Sequence, residues 1–388
     1  MRTIEVKSPE TIHDFHALPW TLYKDNPDWV CHLRMLLENS FNPEKNKALH
    51  EGALKRWILK DGNGTVGRIA AFHTRNYSRS YNQPTGCVGF FECIHDPAAA
   101  KLLFDTARDW LQSEGMEAMD GPVNPGENFF NWGVLTEGFK QQTFGMTYNP
   151  PYYKDLFDAY GFKTYYEQYS YRMDITSPDL PERFWKIAAW VTKKPGFTYK
   201  HFSFRNQDRF ISDFISIYQQ AWQKHDNYKS IEPGEIRTLI NESRIFLEEE
   251  FIWYVYHEGK PVAFFMMIPD LNQIIRKLNS DRINLWNILK IIYFKKTRAI
   301  SRCRVVVMGV IPQFQRMGLE SGIFYQLRQV MLRKPWYKEI EASWVGDFNP
   351  KMISLFKAVG ATHEITHHTM RYLFDQSREF TRAAIIKD

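Results

Sequence analysis

The sequence has few cysteines for its length. Its 388 residues contain four, Cys31, Cys87, Cys93 and Cys303, and no two of them form a Cys-x-x-Cys pair. Such scattered positions argue against a disulfide framework and against a cysteine-rich zinc site. They predict reduced, buried thiols, which are typical of a cytoplasmic protein.

Long apolar runs and dense charge runs are also missing. The most apolar stretch, residues 283–294, is interrupted by Asn284, Asn287 and Lys290 and is too short to span a bilayer. It could pack as an amphipathic helix, lie on a membrane or cap a groove. The first 25 residues are polar and mixed in charge, so no secretion signal and no membrane span are expected.

A strong charge imbalance is absent as well. The net charge of +6 suits an anionic ligand, but no basic run or zinc-type spacing supports a nucleic-acid partner. His363, His367 and His368 lie close in sequence and could be metal ligands. A strand whose histidines alternate between its two faces explains them better, so no metal is expected.

Large apolar side chains are plentiful. Hydrophobic residues make up 44% of the chain and aromatic residues 16%, which indicates either large buried side chains or deep ligand grooves. A chain of this length is too long for one typical core, so two domains are expected.

An internal repeat supports two domains. A hairpin pattern at residues 56–72 recurs at 251–267, and its turn glycines, Gly62 and Gly259, are 197 residues apart. Residues 149–162 match 349–361, and there the glycines Gly161 and Gly360 are 199 apart. A nearly constant offset indicates a duplication. We therefore predict domains at 1–175 and 176–388, with an insertion at 270–302 in the second.

The best candidate for a ligand site is a strand-to-helix turn in the second copy. Residues 305–310 have the pattern of a buried strand, and residues 319–332 have helical spacing. The turn between them contains Pro312 and Gly318. The free N–H groups and positive dipole end at such a helix start favour a phosphate or pyrophosphate.

The element order resembles that of the GCN5-related N-acetyltransferase (GNAT) superfamily. The resemblance rests on Gln315-Arg-Met-Gly318 at the turn and on Asn349…Leu355-Phe356…Gly360 after it. The duplication is similar to that of tandem members such as mycothiol synthase and the Fem-type aminoacyltransferases. Gly121-Pro-Val-Asn-Pro125 with Tyr148-Asn-Pro-Pro-Tyr-Tyr153 resembles a bacterial tandem subfamily. The implied fold class is α/β (α+β mixed sheet), with two tandem acyl-CoA N-acyltransferase (GNAT) folds.

The resemblance implies that the second copy binds acetyl-CoA or another acyl-CoA as co-substrate. In the superfamily the turn amides hold the pyrophosphate, and the preceding strand supplies backbone groups to the pantetheine arm and the acyl oxygen. Glu320 departs from the pattern, because a small residue is usual there, and it would weaken binding unless it points away or pairs with Arg316. The implied cofactor-binding residues are Met308, Gly309, Val310, Gln315, Arg316, Met317, Gly318, Leu319, Glu320 and Asn349.

The catalytic residues are less well defined. Many members use a tyrosine to protonate the leaving thiolate, but the matching positions here are Phe356 and Phe157, which cannot donate a proton. Glu92, His95 and Tyr153 are candidates by residue type, although each also suits a packing or surface role. The first copy lacks the turn, so we expect it to bind no nucleotide and to contribute to the acceptor pocket. The substrate-binding candidates there are Asn124, Asn149, Tyr152 and Tyr153.

Three functions remain open at this point. The first is transfer of an acetyl or acyl group from acyl-CoA to the amine of a small molecule or peptide. The second is a catalytically inactive GNAT fold that binds a metabolite or a protein partner, which Glu320 and the two phenylalanines favour. The third is Fem-type aminoacyl transfer, for which the run Lys295-Lys-Thr-Arg298 is the only indication.

Overall fold

The computed structural model of the protein describes residues 1–74, 83–125, 132–222 and 231–386. Within these ranges, thirteen strands form one mixed sheet, and eleven α-helices pack against it. None of the helices in the described ranges is both long and apolar enough to cross a membrane.

The first half forms the elements that its turn and cap residues predict. Asp61 Oδ1 accepts the N–H groups of Asn63 and Gly64 at 2.7 and 2.9 Å and closes the predicted hairpin, and Asp96 caps the helix that follows β4. The elements are β1 (Arg2–Glu5), α1 (Pro9–Leu22), α2 (Arg34–Phe41), β2 (Gly52–Lys60), β3 (Thr65–Thr74), β4 (Thr85–Cys93), α3 (Pro97–Ser113), β5 (Ala118–Gly121), β6 (Val134–Glu137), α4 (Tyr153–Tyr160) and β7 (Lys163–Met173).

The second half repeats this order, preceded by a helix in the crossover and interrupted by two helices in the predicted insertion. Its elements are α5 (Glu182–Val191), β8 (Phe197–His201), α6 (Gln207–Trp222), α7 (Pro233–Ser243), β9 (Ile252–His257), β10 (Lys260–Pro269), α8 (Asn272–Leu278), α9 (Leu285–Lys296), β11 (Arg302–Val310), α10 (Leu319–Arg333), β12 (Glu339–Gly346), α11 (Pro350–Ala358) and β13 (Thr362–Leu373).

The two halves exchange their last strands. The sheet order is β1-β2-β3-β4-β5-β13-β7-β12-β11-β10-β9-β8, with β6 also paired to β13. The final strand of the second half thus lies between β5 and β7 of the first. In turn, β7 separates β13 from β12. The repeat is therefore built into one shared sheet.

Equivalent ion pairs cross between the halves at the exchanged strands. Arg371 on β13 donates two hydrogen bonds to Asp120 on β5, at 2.6 and 2.8 Å, and both side chains are buried. At the corresponding position Arg172 on β7 lies opposite Glu341 on β12, with Nε 3.7 Å from Oε2. Arg172 lies closer to the carboxylates of Glu339, at 3.0 Å, and Glu364, at 3.3 Å. Buried charges of this kind need their partners, so the pairs favour this strand order.

Aromatic side chains fill the core of each half. In the first half Phe91 stacks on Phe104 with ring centroids 4.7 Å apart, and Phe157 lies edge-on to both. In the second half Phe356 is 4% exposed and packs beside Tyr171. The two phenylalanines at the superfamily's tyrosine position are therefore core residues here.

Candidate functional site

The predicted turn between strand and helix is confirmed. After β11 the chain makes a 3-10 turn at Pro312–Phe314, and Gly318, with a φ of +77°, begins α10. A Cβ on Gly318 would meet only Val191 Cγ2, at 3.4 Å, so the backbone angle rather than crowding favours glycine here. The Gln315 side chain donates to the Val310 carbonyl at 3.2 Å and holds the turn against the strand end.

The turn offers free donors at the start of the helix. Among the described residues, the backbone N–H groups of Met317, Gly318 and Leu319 have no hydrogen-bond acceptor. Lys194 Nζ donates to the Met317 carbonyl at 3.0 Å, which turns that carbonyl toward α5. Unpaired N–H groups at the positive end of a 15-residue helix favour an anion.

Glu320 lies in the first turn of α10. Its side chain is half-buried near the Tyr199 hydroxyl, and burial raises the pKa of its carboxyl group. The structure thus places this carboxyl group in the first turn of the helix, at the position where the sequence resemblance expects a small residue.

A slot opens beside the turn where two parallel strands separate. β11 and β12 pair only from Arg302 opposite Glu339 to Val305 opposite Ala342. The later part of β11, including Met308, Gly309 and Val310, pairs with β10 alone within the described chain. Backbone groups on the free edge of β11 can therefore bind an extended ligand, as an edge strand does.

The equivalent slot in the first half is closed. β4 and β5 pair only from Thr85 to Cys87, but the Val123 N–H then donates to the Val88 carbonyl at 2.8 Å. A Cβ on Gly89 would lie 2.1 Å from the Val123 oxygen and 2.8 Å from Asn124 Oδ1. The predicted substrate residue Asn124 thus packs against β4 and, with Val123, fills the slot.

A small cleft lies where the exchanged strands meet the loop at 138–147. It is a narrow gap without room for a water molecule. It is lined by Leu135, Gly138, Lys140, Gln142, Met146, Thr147, Glu341, Ile365 and His367.

His367 is the chemically distinctive residue of this cleft. It is 1% exposed, and its Nε2 lies 3.2 Å from the Thr147 carbonyl, which can only accept, so Nε2 carries the proton. Nδ1 is then a lone-pair acceptor, and it has no partner among the residues that the structure describes. Burial lowers the pKa of His367 to about 4, which keeps the ring neutral at pH 7.

Buried charges connect this cleft with the slot. Arg304 Nε donates to Ser343 Oγ at 2.9 Å, and Nη1 donates to the Phe144 carbonyl at 2.8 Å. Both Arg304 and Ser343 flank the last paired position of β11 and β12. The charge of Arg304 also contributes to the lowered pKa of His367. Arg304 thus lies between the last paired position of β11 and β12 and the loop at 138–147.

Two of the catalytic candidates meet in the core of the first half. Glu92 Oε2 accepts hydrogen bonds from the hydroxyls of Tyr153 at 2.6 Å and Tyr23 at 2.7 Å, and Arg68 lies 3.4 Å from Oε1. Burial raises the pKa of Glu92. The carboxylate oxygens of Glu92 are thus engaged inside the protein.

The neighbouring candidates line the end of the same strand. His95 is exposed and stacks on Tyr152 with ring centroids 4.4 Å apart. The Tyr152 hydroxyl donates to the Cys93 carbonyl at 2.8 Å, and the Tyr153 oxygen accepts the Cys93 N–H at 2.9 Å. The structure therefore brings Glu92, His95, Tyr152 and Tyr153 together in the first half, outside the lining of the cleft.

The two predicted asparagines fix local backbone. Asn149 Oδ1 accepts the Leu135 N–H at 2.6 Å, and its amide donates back to the Leu135 carbonyl at 3.2 Å. Asn349 caps α11 by accepting the N–H of Met352 at 3.3 Å. Asn149 thus positions a residue that lines the cleft, and Asn349 sets the start of the helix after β12.

Two curated relatives match nearly the whole chain. The "Bacterial ceramide synthase" of Caulobacter vibrioides (strain NA1000 / CB15N) is 24% identical over 380 residues, which cover 95% of this chain and 96% of its own. The "Protein YghO" of Escherichia coli K12 is 25% identical over 356 residues, 89% of each chain. No family model matches the sequence.

Solved structures share the architecture. A tandem GNAT protein from the clavulanic acid biosynthesis pathway superposes with a TM-score of 0.58 at 11% identity, over 97% of this chain and 99% of its own. A GCN5-related N-acetyltransferase from Sphaerobacter thermophilus gives a TM-score of 0.51 at 10% identity, over 99% and 97%. The chain thus has the tandem GNAT fold, as the sequence resemblance implies.

Proposed function

We propose that this protein is an N-acyltransferase that moves a fatty acyl group from acyl-CoA to the amine of a long-chain amino alcohol. A ceramide is the amide of such an amine, and the ceramide synthase of Caulobacter vibrioides is similar over nearly its full length. The observation that carries the proposal is the asymmetry of the two halves. The slot beside β11 is open and adjoins free helix-start donors, whereas the slot beside β4 is filled by Val123 and Asn124.

The second half supplies the acyl donor site in this proposal. The N–H groups of Met317, Gly318 and Leu319 would hold the pyrophosphate of acyl-CoA, with Gln315 fixing the turn. The free edge of β11 at Met308–Val310 would bind the pantetheine arm and orient N–H groups toward the developing oxyanion.

The reaction needs a base for the amine. The amine nitrogen attacks the thioester carbonyl carbon, the C–S bond breaks, and the thiolate leaves as the amine loses a proton. His367 has a lone pair on Nδ1 in a tautomer that the Thr147 carbonyl fixes, but its pKa of about 4 makes it a weak proton acceptor, so the base stays unassigned. Glu92, His95 and Tyr153 stay predictions, as do roles in substrate binding for Asn124, Asn149, Tyr152 and Tyr153.

The test pairs calorimetric titration with a product assay. The wild-type protein is titrated with palmitoyl-CoA, then incubated with palmitoyl-CoA and sphinganine, and the amide is measured by mass spectrometry. Gly318→Trp should abolish both the binding heat and the amide, since a side chain at a φ of +77° distorts the turn. Gly115→Trp is the matched control, because Gly115 has a φ of +82° with open space around it in the first half.

The results separate the parts of the proposal. Equal heats from wild type and Gly318→Trp, or no heat from either, would contradict the acyl-CoA site. Binding of palmitoyl-CoA together with amide formation from a short amine but not from sphinganine would contradict the long-chain acceptor alone.

An inactive binding protein is the second candidate. The burial of Phe356 and Phe157 favours it, because neither position offers the phenol that protonates the leaving thiolate in many superfamily members. It predicts acyl-CoA binding heat with no transfer to any amine in the same assay.

A further inference from the structure

The helix α9 in the insertion leaves most of its apolar side chains in solvent. Of its twelve residues only Asn287 and Ile291 are buried. Trp286 is 66% exposed, Leu289 50% and Tyr293 62%, and Leu285, Ile288 and Ile292 are also exposed. Large apolar side chains clustered in this way mark an interaction surface.

The exposed side chains share one face of the helix. At 100° per residue the six positions span roughly 160° of its circumference. Asn287, Ile291 and Phe294 occupy the opposite side, toward the protein. Lys290 and Lys295 fall just beyond the two edges of the apolar face, and Lys296 ends it. Lysines at the edges of an apolar helical face are typical of helices that lie in a membrane interface.

The surroundings of α9 hold the chain's excess positive charge. Residues 271–301 contain seven basic residues and one acidic residue, so they account for the whole net charge of +6. The acidic residue, Asp281, is paired with Arg34 at 2.9 Å. None of the seven basic residues is buried. They are Arg276, Lys277, Arg282, Lys290, Lys295, Lys296 and Arg298.

We propose that α9 and these cations bind the surface of an anionic lipid bilayer. The helix would lie flat, with Trp286, Leu289 and Tyr293 at the level of the head groups and the basic residues against the lipid phosphates. A helix of twelve residues is about 18 Å long, too short to cross the hydrocarbon core. This proposal does not depend on the acyl-transfer proposal.

Charge favours a membrane over a second copy of the chain. A two-fold dimer through α9 would bring two sets of seven cations together and add like-charge repulsion to the contact. An anionic bilayer complements both the apolar face and the charge. Tryptophan and tyrosine are moreover the residues that prefer the membrane–water interface.

Vesicle sedimentation with the full-length protein tests the proposal. Wild type should bind vesicles of mixed phosphatidylglycerol and phosphatidylcholine, bind phosphatidylcholine vesicles much less, and lose binding as salt is raised. The triple variant Trp286→Ser, Leu289→Ser, Ile292→Ser should bind at least about tenfold more weakly. Leu332→Ser on α10, where Leu332 is 52% exposed, is the matched control and should bind as wild type does.

Separate variants test the contribution of the lysine charges and the location of Trp286 in the bilayer. Lys290→Gln and Lys296→Gln should each weaken binding about fivefold, with a shallower salt dependence. Trp286→Phe should keep binding but lose part of the tryptophan quenching by brominated lipids, because the other eleven tryptophans lie outside α9.

Three results would overturn the proposal. They are no vesicle binding by wild type, equal binding by wild type and the triple variant, and equal binding to both kinds of vesicle. A dimer in sedimentation equilibrium that the triple variant abolishes, with no vesicle binding, would assign the face to a second copy instead.

Discussion

At the scale of single residues, His367 combines burial, a fixed tautomer and a ring nitrogen without a partner in the described chain. Its pKa is about 4 in the folded protein, against an ordinary value of 6.5. Between these values the unfolded chain binds a proton that the folded protein does not. Stability therefore rises with pH through this window, and falls by up to about 3 kcal/mol on acidification through it.

We predict that His367→Gln makes the free energy of unfolding less dependent on pH. From pH 7 to pH 5 the wild type should lose about 2 kcal/mol more unfolding free energy than the variant does, measured by urea denaturation at each pH. His13→Gln is the control, since the His13 side chain is 66% exposed, and it should follow the wild type. A variant profile parallel to that of wild type would contradict the burial argument.

Residue chemistry in the site is only partly visible in the sequence. The turn could be predicted, because Gln315 and Gly318 stand at a fixed spacing between a strand and a helix. The unpartnered nitrogen of His367 could not, since it depends on the Thr147 carbonyl, which comes from a loop 220 residues earlier in the chain. The hydrogen bonds of Glu92 could not be predicted either, because its two tyrosine donors come from α4 and from the turn after α1.

At the scale of elements, α5 and β8 support the helix that starts at the turn. Lys194 holds the Met317 carbonyl, and the Tyr199 ring of β8 lies against Gly322 of α10. A Cβ on Gly322 would be 2.3 Å from the Tyr199 oxygen and 2.6 Å from Cζ. The glycine thus sets how closely the strand approaches the helix, and with it the position of the turn.

Gly322→Ala should destabilise the protein by about 1–3 kcal/mol through this overlap, although alanine is the better helix former. In a Tyr199→Ala background the same substitution should be neutral or stabilising, so thermal unfolding of the four proteins forms a double-mutant cycle. Gly234→Ala in α7 is the control. Nothing lies within 4 Å of its missing Cβ, so this change should stabilise the protein by about 0.5–1 kcal/mol. Additive effects of Gly322→Ala and Tyr199→Ala would show that the contact does not set the packing.

Element types were well predicted where turn chemistry is local, as at Asp61–Gly64 and at Gly161, which has a φ of +106°. The helix α5 was not predicted from the sequence. Its apolar residues Trp185, Ala188 and Val191 are buried against the second half, which is a tertiary effect.

At the scale of the whole molecule, the exchanged strands make the halves interdependent. Asp120 and Arg371 belong to different halves, and their side chains are 0% and 6% exposed. Removing one partner would leave a buried charge without compensation, which costs more than the pair itself contributes.

Asp120→Ala should therefore lower the unfolding free energy by about 3–5 kcal/mol, measured by urea denaturation. Adding Arg371→Met should recover part of that loss. Asp109→Ala is the control, because Asp109 is 64% exposed in its pair with Arg108, and its effect should stay below about 1 kcal/mol. A small effect of Asp120→Ala would mean that the exchanged strands do not rely on this pair.

The duplication itself could be predicted from the offset of its matching glycines, but the strand exchange could not. The alternation of apolar and polar side chains along β7 and β13 specifies which face of each strand is buried, but it does not specify which strand lies beside it. The alternation of buried and exposed side chains is the same whether each copy keeps its own final strand or exchanges it with the other copy. Only the long-range register of Asp120 with Arg371 and Glu341 with Arg172 separates them.

The strand order is that of a two-fold dimer whose chains swapped their final strands and were then joined end to end. After such a fusion, the two halves can accumulate different substitutions. Val123 and Asn124 fill the slot beside β4 in the first half, and the shared sheet stays intact. Deleting the first altogether would remove every neighbour of β13 and one of the two neighbours of β12. The first half thereby supplies strand neighbours on which the sheet of the second half depends.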